Sequence, residues 1–159
     1  MPFKGRFNWK MFILGGKKGR FGLRFFMICK VEARCISDFL IYTENGTVHN
    51  PEFENYPVSS KIVLHLMNRF LGKGYCVTMG NYYMSTQLAD ILISEKTYSY
   101  STVNKNRKDL PLSFVKEKVS KGEVFAYQRD KVMALNWEDK KSVFQISTVH
   151  NARDGSNIT

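Results

Sequence analysis

A chain of 159 residues can bury one substantial core and is too short for two ordinary domains. Its content of 43% hydrophobic and 14% aromatic residues excludes an intrinsically disordered chain, and a formal net charge of +10 favours anionic partners, nucleic acid ahead of acidic membranes. The charge is uneven. Residues 1–34 hold nine Lys or Arg against Glu32 alone, whereas residues 35–60 hold four acids and no base.

Residues 1–22 alternate basic and aromatic side chains and close in the cationic loop Gly15-Gly16-Lys17-Lys18-Gly19-Arg20. That loop lacks the Lys-Ser/Thr ending and the following helix of a P-loop, so a solvated hairpin is expected. Residues 21–31 and 35–43 are rich in β-formers and are separated by Glu32-Ala33-Arg34, which predicts an antiparallel hairpin ending at the turn Glu44-Asn45-Gly46-Thr47. After an acidic, proline-bounded loop at 49–57, Ser59 or Ser60 is expected to cap a helix. Ile62, Val63, Leu66, Met67, Phe70 and Leu71 fall at helical spacing, with Gly72 or Gly74 as the stop. His65 has no second ligand at metal-binding spacing and is given no metal role.

The stretch from Tyr75 to Ser85 predicts a short buried strand at 75–79, a turn at Gly80-Asn81, two aromatics, and Ser85 capping a second helix with Leu88, Ala89, Ile91 and Leu92 inward. A strand at 97–103 follows. Hairpins first and parallel crossovers later give an α/β chain with a mixed sheet and two covering helices. Residues 104–111 form a polar, basic loop, and runs at 124–128, 132–137 and 142–149, joined by polar turns, predict a three-stranded antiparallel meander with Trp137 packed on one face. The polar tail at 151–159 is expected to be disordered.

Cys29, Cys35 and Cys76 are too few and too irregularly spaced for a disulfide framework or a zinc site. Their apolar neighbours predict three buried, reduced thiols in the cytosol or nucleus. No apolar run reaches membrane-spanning length, so no membrane is expected as a partner.

Four ordered stretches resemble piggyBac-type transposases. Pro2-Phe3-Lys4-Gly5-Arg6 is similar to that family's Pro-Phe-Lys-Gly-Arg segment. Phe21-Gly22-Leu23-Arg24 and Asp38-Phe39-Leu40-Ile41-Tyr42-Thr43 are similar to its second and third strands. The segment around Gly80-Asn81-Tyr82-Tyr83-Met84-Ser85 resembles its central motif. Thr102-Val103-Asn104-Lys105-Asn106-Arg107-Lys108-Asp109-Leu110-Pro111 resembles Thr-Val-Arg-Lys-Asn-Arg-Lys-Gly-Leu-Pro, and the likeness runs on through Ala134 to Lys140 and Ser147 to His150. The resemblance implies a partial ribonuclease-H-like core at 1–103, a basic loop and β-meander insertion at 104–150, and a tail at 151–159.

In that family three carboxylates hold two divalent metals, whose hard oxygen ligands support strand cleavage and transfer. The resemblance places the first upstream of Met1, the second at Gly80 and the third beyond the meander. The expectation is therefore a catalytically inactive, nuclear domain with no metal or other cofactor. Its residual non-specific DNA binding is expected at Lys105, Arg107, Lys108, Lys4, Arg6, Lys17, Lys18 and Arg20. The alternative is a protein partner at an exposed sheet edge, or a relic with no function.

Overall fold

The computed structural model describes residues 4–12, 21–44, 47–48 and 50–150. The chain forms two compact units, Met1–Arg69 and Phe70–Thr159.

In the first unit, β1 (Met11–Phe12) pairs antiparallel with β2 (Phe21–Gly22), as the expected hairpin requires, and Phe12 meets Phe21 edge to face at 6.0 Å. The connecting loop, with Lys17, Lys18 and Arg20, lies outside the described residues. β3 (Phe25–Lys30) and β4 (Cys35–Ile41) form the predicted antiparallel pair, and the turn between them is closed by Arg34 at φ 49°. A register shift between Ile28 and Cys29 leaves Ser37 out of the ladder.

The register sets Phe25 opposite Ile41, Met27 opposite Phe39 and Cys29 opposite Ile36, so one face of this small sheet is apolar throughout. That face is largely open, with Met27, Ile36 and Phe39 each more than half exposed. Phe26 lies on the other face and is buried, and both strands pack against α1 (Val58–Met67).

The helix α1 follows Pro57, which serves as its N-cap without a side-chain hydrogen bond. The serine cap expected here is therefore corrected: Ser59 and Ser60 sit inside the first turn and are buried. The fixed φ of proline suits the entry to a helix and supplants the serine signal. The helix also ends earlier than its apolar spacing suggests, at Met67, and the chain then turns through Gly72 and Gly74, both with positive φ. Asp38 on β4 accepts a hydrogen bond from Arg69 at 3.3 Å.

The second unit is built on one five-stranded sheet. Its strands are β5 (Cys76–Met79), β6 (Tyr98–Thr102), β7 (Val124–Arg129), β8 (Val132–Glu138) and β9 (Ser142–Ser147). They lie in the order β5-β6-β9-β8-β7, with β5 parallel to β6 and every other pair antiparallel. The predicted meander is present, and its last strand is hydrogen-bonded directly to β6. The parallel step from β5 to β6 is made through α2 (Thr86–Ser94), which packs on β6 and β8.

A third helix, α3 (Leu112–Lys116), starts after Pro111 and was not expected. It delivers Phe114, which is fully buried, into the core. Phe114 stacks on Phe125 at 5.9 Å and meets Phe144 edge to face at 5.8 Å. Around these rings lie Met84, Ala89, Val103, Leu110, Val132, Ala134 and Ile146.

The buried-thiol expectation is overturned, because Cys29, Cys35 and Cys76 are all exposed. The first two belong to a sheet of two strands with one open face. The register places them on opposite faces, Cys29 beside Ile36 and Cys35 beside Lys30, so they do not face each other. Cys76 opens β5 at the sheet's edge, and partial desolvation still pushes its thiol pKa up. Among the described residues no helix is long and apolar enough to cross a membrane.

Candidate nucleic-acid interface

The end of β5 and the loop after β6 meet in the second unit. After Met79 the chain turns at Gly80, with Tyr83 N–H donating to Gly80 O at 3.1 Å. Gly80 does not have the left-handed φ found at Gly72, Gly74 and Gly122, and a Cβ built on it meets nothing within 4 Å. The backbone at this turn thus does not need glycine's extra freedom. The predicted cap on the next helix is present, as Ser85 Oγ accepts from Leu88 N–H at 3.1 Å.

The basic loop folds onto this turn. Asn104 Oδ1 accepts from Asn106 N–H at 3.0 Å, a local turn of the kind asparagine favours. Arg107 N–H donates to Asn104 O at 3.0 Å, and Leu110 is buried at the loop's far end. The half-buried Arg107 sends Nη2 to Tyr82 O at 2.6 Å and toward Asn81 O at 3.5 Å. Asp109 Oδ2 accepts from both Thr86 N–H and Thr86 Oγ1, at 2.5 and 2.8 Å.

Lys105 and Lys108 are exposed on this anchored loop, and among the described residues neither has a hydrogen-bond or ion-pair partner. Lys4 and Arg6 are exposed in the first unit. In their segment Phe7 stacks on Trp9 at 4.8 Å, and Lys10 lies over the Phe21 ring at 4.9 Å. Phe3, Lys17, Lys18 and Arg20, singled out by sequence, lie outside the described residues. Asp109 and Thr86 were not picked out by the sequence. The visible signal was an acid placed in an otherwise basic loop.

Three other acids have separate partners. Asp38 pairs with Arg69, Asp90 accepts from Arg129 at 2.6 Å, and Glu138 accepts from Ser142 Oγ at 2.6 Å. Among the described residues no three His, Cys, Asp or Glu side chains stand close enough to share a metal ion. The two-metal arrangement that the resemblance implies is therefore not met by these residues, and no chemical step through metal is derived from them.

The fold and the sequence motifs together define a transposase-type α/β domain. Over residues 1–157 the chain matches the family model described as Transposase IS4, and it belongs to that family. Its fold is also that of the piggyBac transposase seen in a cryo-EM structure of a synaptic complex with hairpin DNA, at a TM-score of 0.82 and 22% sequence identity. The match covers 99% of this chain and 32% of the transposase chain, so the present sequence spans about a third of that protein's length.

Family membership corrects the expectation that the chain is not an enzyme, because the family is one of transposases, an enzyme class. That expectation followed from where the resemblance places three family carboxylates, one of them at Gly80.

Proposed function

We propose that this chain serves a transposase by engaging DNA through its backbone phosphates, with Lys105 and Lys108 at the end of β6 as the principal contacts. The observation that carries this is their exposure, without protein partners, on a loop held fast at both ends. Ammonium groups so placed gain more from phosphate than from any group on the protein, since each neutralised phosphate releases condensed counterions. Arg107 adds charge to the same loop. Lys4 and Arg6, with Lys17, Lys18 and Arg20, extend the basic character along the first segment. The piggyBac transposase of similar fold is itself seen with hairpin DNA.

Binding of this kind is independent of sequence, because phosphates carry no base identity. A nuclear site of action follows from a DNA substrate. The test is fluorescence anisotropy of a labelled duplex of arbitrary sequence across a salt series. Affinity is expected to fall linearly in log K against log salt, and replacing Lys105 or Lys108 by Ala should reduce the slope by about 0.9 each. Unchanged slopes in both variants would sink the assignment.

A second reading, an extended polypeptide partner added to a sheet edge, is favoured by β7. It borders the five-stranded sheet and leaves Val124 and Tyr127 nearly half exposed. Association with a protein that persists unchanged at high salt would support it over DNA.

A further inference from the structure

We propose that Arg107 and Asp109 are positioning residues, which fix the 104–110 loop on the turn after β5 and thereby aim Lys105 and Lys108, without touching DNA themselves. This rests on the DNA-binding role proposed for the two lysines.

The two side chains act on opposite poles of the same backbone. The Arg107 guanidinium is directed at the carbonyls of Asn81 and Tyr82, where partial negative charge gathers. The Asp109 carboxylate is directed at the amide and hydroxyl of Thr86, in the first turn of α2, where unpaired amides present partial positive charge. Each charged group is thereby engaged by the protein in a charge-assisted hydrogen bond. Arg107 is also half-buried, whereas its neighbours Lys105 and Lys108 are exposed.

The alternation has a structural consequence. Within five residues, two side chains pin the loop and two project from it. The pins bracket Lys108, and Asn104 closes the near side through its turn with Asn106. An unpinned loop would let both ammonium groups sample many directions, and ordering them on DNA would then cost conformational entropy.

Simple charge counting and positioning predict opposite signs for one substitution. Asp109→Asn removes a negative charge beside two DNA-facing lysines, so charge alone makes binding tighter. Positioning makes it weaker, because the neutral amide is a poorer acceptor for the Thr86 donors. Arg107→Lys gives a second sign. A phosphate contact survives the exchange of one cation for another, while a clamp spanning two carbonyls does not.

The experiment is salt-dependent anisotropy on the full chain with Asp109→Asn, Arg107→Lys, Arg107→Ala, Lys105→Ala and Lys108→Ala, each checked for folding by circular dichroism. Where Asp109→Asn fails to fold, Thr86→Val, which deletes only the hydroxyl donor, takes its place. Expected are weaker binding in Asp109→Asn and, in Arg107→Lys, most of the loss seen in Arg107→Ala, which also removes a charge. Tighter binding by folded Asp109→Asn, or native affinity in Arg107→Lys, overturns the proposal while the lysine effects keep the DNA role. Lysine variants that change neither affinity nor slope remove the DNA role and this inference with it.

Discussion

Two β-systems of the chain, the antiparallel β3–β4 pair and the mixed five-stranded sheet, end in different states. In the β3–β4 pair, Phe25, Met27, Cys29, Ile36, Phe39 and Ile41 share a face that is largely open. In the five-stranded sheet, Val132, Ala134, Phe144 and Ile146 lie in a closed core with Ala89 of α2 and Phe114 of α3. An apolar strand face therefore specifies what it can pack against, and a covering element decides whether it is buried. Phe114, delivered by a five-residue helix, is the clearest case of such a cover.

This contrast can be broken by substitution. Phe114→Ala should cost about 3–5 kcal/mol, because it empties the space between Phe125 and Phe144, and urea unfolding of the second unit would measure it. A loss below about 1 kcal/mol would show that α3 is a loose cover. Ser85→Ala, which removes the cap on α2, should cost about 1 kcal/mol by the same measurement.

Gly80→Ala is expected to stabilise by about 0.4–1 kcal/mol, since the turn neither uses left-handed backbone nor crowds a Cβ. Destabilisation there would mean that the turn is tighter than its geometry indicates. On the open face, Phe39→Ser should change stability by no more than about 0.5 kcal/mol. A cost comparable to that of Phe114→Ala would erase the distinction between the two sheets.

The smallest effect concerns the thiols. Cys76, its pKa pushed up by desolvation, should react with iodoacetamide at pH 8 more slowly than free cysteine, because less of it is thiolate. Mass spectrometry of the alkylated peptide reads the rate. A rate equal to that of free cysteine would place the thiol in full solvent.

Much of the site was legible in advance. Ser85 as a cap, a strand before Gly80, and the exposed Lys105 and Lys108 all follow from residue type and order, whereas the burial expected of that strand does not hold, since Cys76 to Met79 alternate exposed and half-buried. The clamp was not legible, because Arg107 and Asp109 find their partners at Tyr82 and Thr86 more than twenty residues back in the chain. The helix α3 was missed because its five residues are too few to show a period, although Pro111 just before it was a usable start signal. The thiols were misplaced because apolar neighbours along a strand do not reveal whether that strand is covered.

By itself the sequence determined the elements whose causes are local: hairpin turns, the capped α2, the alternation of β-runs and the excess of positive charge. The tertiary structure alone decided that β9 lies beside β6, that Phe114 closes the core, and that one arginine of the basic loop is occupied by carbonyls while its lysine neighbours are free. Hydrogen bonds within a turn are set by a few adjacent residues, whereas contacts across the sheet depend on which segments have already closed long loops to meet.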